Sequence, residues 1–139
     1  MLLESNRLGT LEINESSIIE MPDGLLGFED RKRFVLIPAD DLGAYSWLHS
    51  VDDAALAFLV VVPHFFFPDY EPEVPEAEAE AIELSDPDDA QLLCLVSITD
   101  DDITANLLGP VVVNVARQLA RQVVLADQGF EARSPIGGR

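Results

Sequence analysis

With 139 residues, of which 48% are hydrophobic, the chain fits one domain that buries about two-thirds of its unfolded surface, and it is too apolar to be a disordered acidic tail. Its 26 acidic residues against 8 basic ones give a net charge of -18, which repels phosphate, argues against direct nucleic-acid binding and attracts basic proteins. Cys94 is the single cysteine, which excludes an intramolecular disulfide and fits a reducing compartment.

The N-terminal "MLLESNRLG" has no basic segment followed by a long apolar one, so no secretory signal is expected. "GTLEIN" then alternates Leu11 and Ile13 against Glu12 and Asn14, a strand with one wet face, and "NESS" turns the chain. A second strand is expected at residues 18–21. "PDGLLG", from Pro22 to Gly27, is a turn or wide loop by its proline, aspartate and glycines, and "RFVLIP" is a short strand closed by Pro38. From Tyr45 the pattern sets Tyr45, Trp47, His49 and Val51 on one face and Ser46, Leu48 and Ser50 on the other. "DDAA", at Asp52 to Ala55, is a connection, and residues 57–62 form an apolar run of the length of a buried strand.

The next stretch, "FFFPDYEPE", puts three phenylalanines directly before an acidic, proline-punctuated segment. As a strand end it is readable, because Pro68 cannot donate to a ladder. Residues 75–84, "PEAEAEAIEL", are the best helix candidate, and residues 85–90, "SDPDDA", suit a short capped turn with Pro87 in an early position. Strands resume in "QLLCLVSIT", "TANLLGPVVVNV" and "QVVLAD", and "SPIGGR" at residues 134–139 reads as a loose tail.

The expected fold is therefore mainly all-β: a single domain over residues 1–139, an antiparallel β-barrel-like or sandwich structure with one or two short helices. The longest apolar run, residues 54–63, is too short to cross a bilayer as a helix, so a cytoplasmic protein without a membrane partner is expected.

Little in the chain suggests catalysis. His49 and His64, the only histidines, lie in no metal-ligand spacing, and His49 on an alternating strand reads as a hydrogen-bonded structural residue. Neighbouring His49 and Ser50 point to opposite faces and make no dyad. Cys94 sits in "LLCLVSI" as a small core hydrophobe with no cation nearby to make a thiolate. The runs Asp52-Asp53, Asp86 with Asp88-Asp89, and Asp100-Asp101-Asp102 lack the calcium-loop pattern and read as solvated turns. No catalytic residue, metal site or cofactor is expected. A small hydrolase or ligand-binding barrel using the carboxylates stays open as the alternative, to be recognised by convergent acids in a concave pocket with a raised pKa.

Taken in order, "GTLEI", "IIEMPDGLLGFED", "FVLIP", "YSWLHSVDD", "LAFLVVVP", "FFPDYE", "DPDDAQLLCLVSIT", "TANLLGPVVVN" and "RQVVL" resemble one family, the bacterial flagellar assembly factor FliW. The pieces span nearly the whole chain. Departures are Leu25-Leu26 for the family's usual Ile-Pro, His49 for glutamine, Gly109 for alanine, and Ala120-Arg121 for Gly-Lys. The resemblance implies a non-enzymatic regulator with two protein partners: CsrA, a small basic repressor that binds messenger RNA, and flagellin. It implies that the factor antagonises CsrA when flagellin has been exported and no longer occupies it, and that the domain is an antiparallel barrel.

The -18 charge suits a partner built to touch phosphate, and specificity then requires a partly apolar patch. On one reading Phe65 and Phe66 anchor the core while Phe67, Asp69, Tyr70 and Glu71 present a patch for a partner. On the other, all three phenylalanines are core and the acids are merely solvated. In "TANLLGP", Asn106 fixes a turn or touches a partner. Trp47 is assigned to the core or its margin, and the acidic helix is a solvated face or an element that steers CsrA.

Overall fold

The computed structural model describes residues 1–136. Eleven strands and one α-helix follow in chain order: β1 (Leu2–Ser5), β2 (Gly9–Glu12), β3 (Ile19–Glu20), β4 (Arg33–Pro38), β5 (Tyr45–Ser50), β6 (Ala57–Val61), α1 (Glu76–Ala81), β7 (Ala90–Ile98), β8 (Ile103–Ala105), β9 (Val111–Asn114), β10 (Leu119–Gln122) and β11 (Ser134–Pro135). Single 3₁₀ turns lie at Glu15–Ser17, Pro63–Phe65 and Pro87–Asp89.

The main sheet closes on itself. β7 pairs with β6, and the ladder runs on through β5, β4, β3, β10 and β9, which returns to β7. Closure removes the free edges that an open sheet would expose to other chains. Every pairing in the ring is antiparallel except the short parallel seam of β3 with β10, where Glu20 faces Leu119 and the Glu20 amide donates to Gln118 O at 2.9 Å. All seven ring strands contribute to one interior cluster: Ile19, Phe34, Leu48, Val60, Leu93, Val111, Val113 and Ala120, with Met21 and Leu25 from the loop after β3. The barrel-like, mainly β architecture is the one expected from the strand pattern.

Three elements depart from the sequence reading. "TANLLGPVVVNV" forms two strands. Val96 faces Ala105 while Leu93, three residues earlier, faces Val111, six residues later, so the chain bulges by three residues beside β7. Pro110 has no N–H for the ladder and the Asn106 side chain caps the excursion, accepting from the Gly109 amide at 2.9 Å. The strand expected in "QVVLAD" is centred earlier, because Asn114 Oδ1 accepts from the Ala116 and Arg117 amides and Gln118 takes φ 54, a tight reversal that starts β10 at Leu119. Residues 134–136 are not a loose tail: Ser134 and Pro135 pair with Ala105 and Thr104, and the Ile136 amide donates to Ile103 O at 2.9 Å. β8 offers an otherwise unpaired edge there, and its backbone groups recruit the chain end. The rest of the expected tail, residues 137–139, lies outside the described residues.

Residues 2–5, which carry little strand signal, pair with β2 in a separate hairpin laid against the outside of β5. Leu3 is buried, the Asn6 amide donates to Ala54 O at 2.8 Å, and His49 reaches across to Ser5. His49 Nδ1 donates to the Ser50 carbonyl at 2.7 Å, so in the neutral ring Nε2 accepts from Ser5 Oγ at 2.8 Å. This is the structural role expected of His49.

Candidate functional site

The segment after β6 does not continue as a strand. Val62 leads into the 3₁₀ turn Pro63–Phe65, and the amides of Phe66 and Phe67 both donate to Pro63 O, at 3.0 and 2.8 Å. A period near three replaces the alternation of a strand, so the phenylalanines distribute differently from either expectation. Phe65 is 53% exposed rather than anchored, while Phe66 and Phe67 pack against the cluster of Val61, Tyr70, Cys94, Ala105 and Leu107.

Tyr70 is a core residue and not part of a surface patch. It is 3% exposed, donates its hydroxyl to Leu107 O at 2.7 Å and stands edge-on to Phe130 at 4.7 Å. Three residues beyond Phe67, it is turned inward when its amide closes on Phe67 O at 3.0 Å. His64 holds the return by donating from Nε2 to Tyr70 O at 2.9 Å. Asp69 and Glu71 flank it in solvent, so the predicted patch keeps its two carboxylates and a half-buried Phe67 but loses its tyrosine. Burial pushes the Tyr70 phenol well above its usual range and the neighbouring Cys94 thiol up to about 12, so both stay protonated at neutral pH and Cys94 has no thiolate character.

Asn106 takes the turn-fixing role. Its amide donates to Leu95 O at 2.9 Å and its side chain caps Gly109. Gln122 adds a second fastening, donating from Nε2 to Gly109 O at 3.0 Å and accepting the Leu26 amide on Oε1 at 3.1 Å. It thereby ties the bulge to the "PDGLLGFED" loop. Gly24, at φ 65, lets this loop fold back so closely that a Cβ would lie 2.5 Å from Phe28 O. Leu26 stands 63% exposed at the loop's tip, and Phe28 meets Phe58 edge-on at 5.1 Å.

The charge is unevenly neutralised. Arg31 pairs with Asp30 and Asp53, Arg33 with Asp52, Arg117 with Glu83, and Arg121 with Glu78 and Asp23. Arg33 holds the Asp52 carboxyl below its usual range; the Ala55 amide and Arg31 do the same for Asp53. Asp69, Glu71 and Asp100 to Asp102 enter no ion pair among the described residues, and no group of three or more histidine, cysteine or acidic side chains there is arranged to hold a metal ion.

An apolar strip that the sequence did not single out lies beside the unpaired Asp100 to Asp102. Tyr45 and Trp47 on β5, Leu59 on β6, Phe66, and the exposed Ile98 and Ile103 line two adjoining cavities of about 550 and 340 Å³, with Asp100 to Asp102 at the rim of the larger. Trp47, expected in the core or at its margin, is half-buried here. The signal available in sequence was "ITDDDI", an acidic turn between two isoleucines, which reads as an ordinary hairpin until the strands beside it are known.

Comparison with known proteins gives a consistent result. The FliW protein family matches residues 2–136. The chain is similar to the flagellar assembly factor FliW of Syntrophus aciditrophicus, 41% identical over 138 residues that cover 98% of this chain and 87% of the relative. It is similar to the flagellar assembly factor FliW of Bacillus subtilis, 34% identical over 140 residues that cover 99% and 98% of the two chains. A crystal structure of the flagellar assembly factor FliW superposes with a TM-score of 0.90 at 30% identity, covering 97% of this chain and 96% of that one.

Proposed function

The chain belongs to the FliW family of flagellar assembly factors, and on that footing we propose that it works by partner exchange in the cytoplasm, binding the translational regulator CsrA and, alternately, flagellin. Bound to CsrA, it lifts repression of flagellin messenger RNA. Flagellin awaiting export occupies it in a chaperone-like complex and leaves CsrA free to repress. No chemical step is involved, and neither a cofactor nor nucleic acid takes part directly.

The observation that supports this reading best is the distribution of charge. Of 8 basic residues, Arg31, Arg33, Arg117 and Arg121 are already engaged with carboxylates of the chain, so the outward surface is more one-sided than the -18 balance alone conveys. An RNA-binding repressor displays cations placed to meet phosphate, and such a surface draws them in over about 8 Å at physiological ionic strength. Exposed Asp69 and Glu71, together with the half-buried Phe67, are proposed as part of the contact region. Tyr70 and Asn106 serve it only indirectly, by holding the loops.

The test is the fluorescence anisotropy of a labelled flagellin leader RNA bound to CsrA. Titration with this protein should lower the anisotropy, and added flagellin should restore it. Unchanged anisotropy with folded protein, at low and at moderate salt, refutes direct antagonism of CsrA.

A further inference from the structure

We propose that the strip between the outer faces of β5 and β6 and the β7–β8 hairpin is a docking groove for a short apolar segment flanked by lysine or arginine on a partner protein. The identity of that partner rests on the preceding reading; the groove and the chemistry of its occupant do not.

The two cavities along the strip share Tyr45, Ile98 and Ile103 and so form one continuous depression. One end runs to Phe66 and Ile136, the other to Ala39, Trp47 and Leu59. It exists because β7 meets β6 only at Cys94 and Leu95, then leaves it to pair through Val96, Ser97 and Ile98 with β8. Ile98 and Ile103 form the last cross-strand pair of that hairpin, so their side chains share a face, and they remain 63% and 44% exposed. Isoleucines are not required for a hairpin tip in water, and an apolar depression continuous with tyrosine and tryptophan has the composition of an interface centre.

The rim selects the charge of the occupant. The turn between the two isoleucines is held by Thr99, whose amide donates to Asp102 O at 2.8 Å and whose hydroxyl accepts the Asp102 amide at 3.2 Å. The turn therefore makes no use of the Asp100 to Asp102 carboxylates, which enter no ion pair among the described residues. At the opposite end the Arg7 guanidinium lies 4.5 Å from the Trp47 ring centroid, so this surface already holds a cation against an aromatic face within the chain itself. A second copy would bring -18 against -18, and an acidic segment or a phosphate backbone would meet the same three carboxylates. A lysine- or arginine-flanked apolar segment is the occupant that satisfies both wall and rim.

Trp47 is the only tryptophan, so its emission reports on the groove directly. The probe is a synthetic peptide of about eight residues alternating leucine and lysine, long enough when extended to cover roughly 26 Å. It is compared with Leu/Glu and Ser/Lys peptides of the same length. The Leu/Lys peptide should shift the Trp47 emission and bind more weakly as salt rises, the Ser/Lys peptide should bind less tightly, and the Leu/Glu peptide should not bind.

Ile98→Asp and Ile103→Asp, both at exposed positions and checked for folding by circular dichroism, should each weaken the Leu/Lys peptide about tenfold or more. Asp100→Asn with Asp101→Asn and Asp102→Asn should weaken it about threefold and flatten the salt dependence. Equal affinity in the folded isoleucine variants overturns the groove, as does a dimer in sedimentation that Ile103→Asp dissolves. If the peptide binds in the groove but CsrA does not bind the wild-type protein, the groove stands and the partner assignment fails. CsrA binding that survives in variants unable to take the peptide leaves the groove in place for another basic partner.

Discussion

Tyr70→Phe separates a structural tyrosine from a binding one. The substitution keeps the ring, and with it the edge-on contact to Phe130 at 4.7 Å and the packing against Val61 and Leu107. It removes one hydroxyl, and with it the 2.7 Å donation to the Leu107 carbonyl in a site where the tyrosine is 3% exposed. A buried hydrogen bond of this kind contributes about 1 kcal/mol net, and stranding its acceptor adds about another. The expected loss is therefore about 2 kcal/mol, or a fall in Tm of about 6–10 °C for a domain of this size. Urea unfolding followed by circular dichroism measures it, with an unchanged m-value showing that the same surface is exposed. Tyr70→Ala, which also removes the ring, should cost about 3–5 kcal/mol. At low temperature, where Tyr70→Phe is still fully folded, its affinity for both proposed partners should match the wild type. A variant with wild-type stability and weakened binding would refute the argument, since it would place the hydroxyl in the interface.

Three further outcomes are expected. Because Asp52 and Asp53 have carboxyls held low in the folded state, their contribution to stability is present above the unfolded value of about 3.9 and is lost as pH falls through the lower folded values; Asp52→Asn with Asp53→Asn should flatten the stability profile below about pH 4 and leave its shape near pH 7 unchanged, as followed by urea unfolding across that range. Gly24→Ala forces a side chain onto φ 65 with its Cβ 2.5 Å from a backbone oxygen, and should cost at least about 2 kcal/mol and raise amide exchange across residues 22–30. Glu76→Gln with Glu80→Gln on the exposed acidic helix should slow association with CsrA at low salt and leave dissociation nearly unchanged, a stopped-flow measurement in which an unaltered association rate rules out steering.

Several elements of the fold could be read from short stretches because neighbouring residues specify them. "RFVLIP" becomes β4 with its proline as the last residue, the alternation from Tyr45 becomes β5, and the helix forms in the alanine and glutamate run. Asp86 caps the turn at Pro87–Asp89 by accepting the Asp88 amide at 2.9 Å, a contact over two residues that composition and spacing already imply. The all-β class follows from such local signals, since pattern and propensity act over a few positions.

The candidate site was less legible, and Tyr70 shows why. Asp69 and Glu71 are in water as their charge requires, whereas the tyrosine between them faces inward because its amide closes on Phe67 O and its hydroxyl reaches the Leu107 carbonyl, 37 residues on, a partner that its acidic neighbours do not reveal. Asn106 suited either a turn or a contact; the turn role is visible in its acceptance of the Gly109 amide three residues on.

The sequence by itself determined the mainly β class, the acidic surface and the family, each carried by composition or by motifs in order along the chain. Tertiary structure decided how the sheet closes and where its exposed apolar strip lies. Glu20 must meet Leu119 to shut the barrel, and Trp47 must come beside Ile98 and Ile103 to form the groove. Those partners lie tens of residues apart, and their meeting depends on the registers of every intervening strand together, a cooperative property that no single segment encodes.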